Sequence, residues 1–192
     1  VGIRRMLSFL EMPVPPPVYL SKSFGRSYGR DELKTDRGKR GLNSDPLRGW
    51  LALDASVIIE MLLSSNLGRS VTEALIADSA EGHSSEVNLA EAEYVLCRKL
   101  GAETAKSKLD GLRNSNYILV VDTEQASRIA AEIKCSRALA LADCYTLATA
   151  KITGSRALFA FREMDLQREM KKRPYDVELI FLEDLMKMRK PR

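Results

Sequence analysis

Trp50-Leu51-Ala52-Leu53-Asp54-Ala55-Ser56 decides the fold class of this 192-residue chain. Four apolar residues run unbroken into an aspartate, and helical spacing begins directly after it. A strand buried on both faces of a parallel sheet reads as a continuous apolar run, whereas a half-solvated strand alternates. Open α/β sheets bind their ligands outside the carboxyl ends of the strands. The run therefore predicts a core strand with Asp54 at the mouth of a crevice. One acid at a strand end does little chemistry alone; what matters is which others arrive beside it.

Outward from that strand, the pattern alternates between strand and helix. Helices are expected over 56–65, 68–81, 88–100, 103–112, 123–134, 139–152 and 166–172, with a last one ending near 189. Strands are expected over 83–87, 117–121, 157–161 and 177–182. Leu89, Ala92, Leu96 and Leu100 recur at helical spacing. Thr123 suits an N-cap. Such alternation implies an α/β fold, a parallel sheet covered by helices on both faces.

Composition narrows the class further. With 45% hydrophobic and 29% charged residues the chain is an ordinary globular protein, long enough to bury a core. Residues 1–49 hold ten Lys/Arg against five Asp/Glu and five of the seven prolines, while the remainder is nearly neutral. That segment is expected to be a flexible basic leader, followed by a domain over 50–186 and a short tail over 187–192. Cys97, Cys135 and Cys144 show no C-x-x-C spacing and each lies in or at the end of a helix-like segment, so buried free thiols in a reducing, cytoplasmic setting are expected. No apolar run is long enough to span a bilayer.

Acids gather at the predicted strand ends. Asp143 shares a helix face with Leu139, Leu147 and Ala150, where a carboxylate is costly unless paired or ligated. Glu91 opens a helix just past a short strand, with Glu86 and Glu93 as rivals; periodicity does not choose among them. Glu163 and Asp165 follow the strand over 157–161. Clusters of hard oxygen ligands of this kind hold Mg²⁺ or Mn²⁺, and a pair of such ions promotes phosphodiester hydrolysis. The single histidine, His83, excludes His-rich zinc sites and disfavours a Ser-His-Asp triad. Phosphate-binding glycine loops are absent from the sequence.

Three segments, L-A-L-D-A-S (51–56), N-L-A-E-A-E-Y-V-L (88–96) and L-A-L-A-D-C-Y-T-L-A-T-A (139–150), resemble in order those of the PIN-domain nucleases, most of all the VapC-type toxins of toxin–antitoxin pairs. The resemblance covers about 50–186. It implies a twisted parallel sheet of about five strands, and an acidic site that binds Mg²⁺ or Mn²⁺ and cuts RNA. By motif match Asp54, Glu91 and Asp143 take the catalytic, metal-ligand positions, and Ser56 a supporting hydroxyl. Beyond the fourth strand the family carries T-x-D-x-D-[FL], but here the chain reads F-R-E-M-D-L (161–166). Phe161 thus replaces the threonine, Glu163 falls at the first acid and Asp165 at the second. Losing that hydroxyl is expected to lower metal affinity.

The function this implies is a metal-dependent endoribonuclease, the toxin of a type II pair. A housekeeping PIN nuclease of RNA processing and a non-catalytic RNA- or partner-binding module are the alternatives. Arg98, Lys99, Arg162 and Arg168 are candidates for RNA contact. The expected partners are RNA, a protein antitoxin and a second copy of the chain. Ile58, Ile59, Leu62, Leu63, Val71 and Leu75 are abundant enough to line a groove for such a partner, or to belong to the core.

Overall fold

The computed structural model describes residues 45–189. The expectations for residues 1–44 and 190–192 lie outside the described residues. Five strands, β1 (Gly49–Leu53), β2 (Ala80–Ser84), β3 (Ile118–Val120), β4 (Arg156–Phe159) and β5 (Leu179–Phe181), form one all-parallel sheet in the order β3-β2-β1-β4-β5. The strand predicted from 50–54 is the central one. Its register sets Leu51 opposite Gly82 on one side and Arg156 on the other.

Alternation along β1 divides the core in two. Leu51 and Leu53 face a cluster formed with helices α1 (Ala55–Leu62), α2 (Asn66–Ile76), α3 (Glu86–Leu100) and α4 (Ala102–Asn114). Ala52 faces the opposite cluster, with α5 (Thr123–Ser136), α6 (Leu141–Thr153) and α7 (Met164–Lys172). The last helix, α8 (Leu182–Arg189), packs Leu182 and Leu185 on the first cluster. Leu51, Leu53 and Leu158 are fully buried, and each side chain so buried contributes roughly 1.5–3 kcal/mol. Ala52 and Ala157 are small, which lets α6 lie close against β1 and β4.

Two glycines are required by this packing. A Cβ on Gly68 would lie 2.0 Å from the Glu60 carbonyl oxygen, so only glycine lets α2 start against α1. Gly154, at φ 67°, ends α6 in the left-handed conformation and turns the chain into β4.

Several local expectations change. The helix expected over 68–81 stops at Ile76, because Asp78 takes a left-handed φ of 51° and the next residues are drawn into β2. That strand comes three residues earlier than expected and includes His83, which meets Trp50 edge-on. Ser85 caps α3 and starts it at Glu86. Asp122, not Thr123, is the N-cap of α5, accepting from the Gln125 N–H at 2.8 Å. Of the three free thiols only Cys144 is buried; Cys97 and Cys135 lie off the apolar stripes of α3 and α5 and are exposed. Ile58, Leu62, Val71 and Leu75 belong to the core, while Ile59 and Leu63 pack partly buried against it. Leu47 is also buried, so packing begins just ahead of β1. Among the described residues no helix is long and apolar enough to cross a membrane.

The winding places the site. From β1 the chain adds β2 and β3 on one flank, then returns to lay β4 on the other. The carboxyl ends of β1 and β4 therefore border the point where strand order reverses, where open α/β sheets leave a crevice.

Candidate active site

Asp54 is the first residue past β1 and the N-cap of α1. Its Oδ2 accepts from the Ser56 N–H at 2.8 Å and from the Ser56 hydroxyl at 2.6 Å. The Ser56 oxygen in turn accepts from the Ala160 N–H at 3.1 Å, tying Asp54 to the end of β4. On the other side, Asp54 Oδ1 accepts from the Thr146 hydroxyl at 3.0 Å, with the Asn88 amide a longer 3.4 Å away. Asn88 also donates to Thr146 Oγ1 at 2.8 Å and to the Ala142 carbonyl at 3.2 Å. Ser85, the N-cap of α3, accepts from the Asn88 N–H and donates its hydroxyl to Asn88 Oδ1. One carboxylate thus locks the starts of α1 and α3 to the first turns of α6. Its negative charge also suits the helix N-terminus it caps.

Asp143 sits in the first turn of α6 with only 5% of its surface exposed. Its Oδ2 has no hydrogen-bond partner. Burial first, then the charges of Asp54 and Glu163, push its carboxyl up to about 7, against a weaker pull from the Ala140 backbone. Glu91, on α3, is raised by burial and by the charges of Asp54 and Glu163. Glu163, the N-cap of α7, is raised by burial and by Asp54 and Asp165. Four of the five expected acids are therefore brought into one field, from four different elements. Among the described residues none of these four has an ion-pair partner.

The rivals fall elsewhere. Glu86 receives a bidentate pair from Arg113 at 2.7 and 2.8 Å, and Glu93 acts on the same arginine. Asp165 is exposed and pairs with Arg168 at 2.8 Å, reaching the cluster only through its effect on Glu163. Arg162 pairs with Asp184 at 2.7 Å and lies over the Phe181 ring. Arg98 and Lys99 occupy the last turn of α3, about 10 Å along the axis beyond Glu91. Arg98 leans over Tyr94. Asn88 and Thr146 went unnoticed in the sequence, although both stand inside the quoted motifs. The signal was available: each is a polar residue where the helix stripe calls for an apolar one.

A divalent cation suits this donor set in chemistry and charge. The donors are hard carboxylate oxygens, Asp143 Oδ2 lacks a partner, and among the described residues no ion pair offsets the four acids. Among the described residues no three Asp, Glu, His or Cys side chains stand close enough to enclose an ion, so binding one would require side chains of the cluster to draw together.

Comparison with known proteins places the chain. In fold it is similar to VapBC2 from Rickettsia felis bound to a DNA fragment from their promoter, at 15% identity over 69% of this chain and 98% of that one, with TM-score 0.50. It is also similar to the sarcin–ricin loop cleaving toxin VapC20 of Mycobacterium tuberculosis, at 17% identity over 62% and 94% of the two chains and TM-score 0.48. FitAcB from Neisseria gonorrhoeae is similar at 24% identity over 68% and 96%, with TM-score 0.46. At such identities the likeness is one of fold alone. No curated protein matches the chain significantly. The family model described as PIN domain matches residues 51–168, from β1 into α7, and so takes in Asp54, Glu91, Asp143 and Glu163 together. The chain belongs to the PIN domain family.

Proposed function

We propose that this domain is a divalent-metal-dependent endoribonuclease, acting as the toxin of a toxin–antitoxin pair. The observation that carries the catalytic part is Asp143: a buried carboxylate with an unpartnered oxygen, beside three other acids that no ion pair among the described residues offsets. Asp54, Glu91, Asp143 and Glu163 would hold Mg²⁺ or Mn²⁺, with Asp165 at the margin. When bound, such an ion supplies Lewis acidity, making water acidic near neutral pH and offsetting charge on a phosphodiester. The chain's own part is positional. Ser56, Thr146 and Asn88 fix both oxygens of Asp54, so that carboxylate is set in place before any ligand arrives. Burial and the neighbouring acids hold the Asp143 carboxyl up at about 7, and a positive charge beside it would favour its ionised form.

The toxin part rests on the motif likeness in 51–56, 88–96 and 139–150, and on the toxins among the similar folds. It carries with it a protein antitoxin and a homodimer as partners. The purified chain should cut single-stranded RNA in Mg²⁺ or Mn²⁺ and stop in EDTA, and its expression alone should slow bacterial growth. Undiminished RNA cleavage in EDTA would sink the metal mechanism. Normal growth at high soluble yield would move the reading to a housekeeping nuclease. A second reading, a non-catalytic binding module, draws on Phe161 and Glu163 standing where the family has threonine and aspartate; calorimetry showing no Mn²⁺ binding would favour it.

A further inference from the structure

Past β4 the chain is tied to the acids at two points. The Ala160 N–H holds Ser56, and through it Asp54, while Glu163 lies three residues on. Between them stands Phe161, 45% exposed although Ala160 is fully buried. The loop that presents it is anchored on both sides: the Glu183 N–H donates to the Ala160 carbonyl at 3.1 Å, and the Arg162 N–H donates to Glu183 Oε1 at 2.6 Å. Met164, the first residue of α7, is 84% exposed. Single exposed apolar residues are ordinary. A rigidly held aromatic and its apolar neighbour, on the segment that carries one of the four acids, are less so.

The cations on the same segment are already engaged. Arg162 is paired with Asp184, and Arg168 with Asp165. With those two cations paired, the segment offers an arriving nucleic acid strand a half-exposed aromatic ring on a hydrogen-bonded loop.

We propose that Phe161 is a stacking platform for an unpaired nucleobase of single-stranded RNA, the one adjoining the phosphodiester presented to the acids, with Met164 beside it. This rests on the nuclease reading above and adds to it the residue that seats the base. Stacking on an aromatic ring tolerates any base, because every base has a π face. It requires a base that can splay out, which a loop or single strand offers and a duplex does not. It does not release counterions, so its share of affinity is independent of salt, unlike that of phosphate contacts.

The test uses the full chain in EDTA, with a short fluorescent single-stranded RNA read by anisotropy, and the same RNA annealed to its complement. Phe161→Ala should weaken single-strand binding about tenfold, leave the salt slope unchanged and leave duplex binding unaltered. Phe161→Leu, which keeps apolar bulk without the ring, should lose most of that affinity, and Phe161→Trp should keep it. In a Trp50→Phe background, the fluorescence of Phe161→Trp should be quenched by the RNA. If the unaltered protein cuts RNA in Mg²⁺ while Phe161→Ala binds and cuts as well, the platform is wrong and the nuclease reading stands. If Phe161→Ala weakens single strand and duplex alike with a changed salt slope, the platform is also wrong. If the unaltered protein neither binds nor cuts RNA, both fall.

Discussion

Two buried aspartates meet in the crevice, one at the start of α1 and one in the first turn of α6, and the fold treats them differently. Asp54 is surrounded by neutral donors: the Ser56 backbone and hydroxyl on one oxygen, Thr146 and Asn88 on the other. Asp143 is equally removed from water, yet one of its oxygens has no donor. A buried polar group left without a partner costs on the order of 1–3 kcal/mol, more if charged. Asp54 therefore belongs to the framework as well as to the site. Asp143 is left to the proposed cation, or to its own proton, for the partner that Asp54 finds in its neighbours.

The largest expected effect tests the acids as a set. Asp54→Asn, Glu91→Gln and Asp143→Asn should each bring RNA cleavage in Mg²⁺ down to background in a gel assay. An Asp143→Asn protein that still cuts would remove the metal-ligand role of α6.

Stability should then split the pair. Asp143 keeps its proton up to about 7 in the folded protein but releases it near its ordinary 3.8 when unfolded. Between those values the folded state binds more protons, so without divalent ions stability falls as pH rises through this window. The shift corresponds to a ceiling of about 4 kcal/mol, shared among coupled acids. In EDTA near pH 8, Asp143→Asn should raise the Tm, and the gain should shrink as pH drops from 7 toward 4. Asp54→Asn should lower the Tm instead, by the equivalent of about 1–3 kcal/mol, because its amide turns a donor toward Ser56 or Thr146. Equal behaviour of the two variants in calorimetric melts would erase the distinction.

Thr146→Val probes the support of Asp54 with little change in shape. It should cost about 1–2 kcal/mol in chemical denaturation and weaken Mn²⁺ binding roughly 10-fold or more, since outer partners of a ligand tune its affinity. Unchanged calorimetry with Mn²⁺ would make Thr146 a packing residue only.

The smallest contrast lies on α7. Glu163→Gln should reduce cleavage more than Asp165→Asn, because Glu163 shares the field of Asp54 whereas Asp165 is exposed and pairs with Arg168. Asp165→Asn should change stability by less than about 1 kcal/mol, the usual range for an exposed ion pair. If Asp165→Asn is the more damaging in the cleavage assay, the assignment after β4 is off by one acid.

Much of the fold was legible in local sequence, and the misses have a common cause. The strands of 50–54 and 157–161 read correctly because continuous apolar runs suit a doubly covered sheet, whereas 117–121 supplies the edge strand β3, where Leu119 and Val120 stay exposed. β2 was expected over 83–87 but lies three residues earlier, since Ala80-Glu81-Gly82-His83-Ser84 has little strand character and its bounds are set by pairing with β1 and β3. The apolar surplus of α1 and α2 suggested a partner groove, but packing against α3 and the sheet consumed most of it. In the site, each acid could be seen one by one at a strand end or on a helix stripe. Their sorting could not, because Glu86 is removed by Arg113, twenty-seven residues away, and Asp165 by the turn of its own helix.

What the sequence determined by itself was therefore the alternation that yields a parallel α/β sheet and the short list of acids near its carboxyl edge, since both depend on residues close together in the chain. What only the tertiary structure decided was the inequality within that list. Whether a buried carboxylate is satisfied depends on which hydroxyl or amide distant segments deliver to it. Thr146 and Asn88, ninety-two and thirty-four residues from Asp54, arrive at that carboxylate, and none arrives at Asp143 Oδ2.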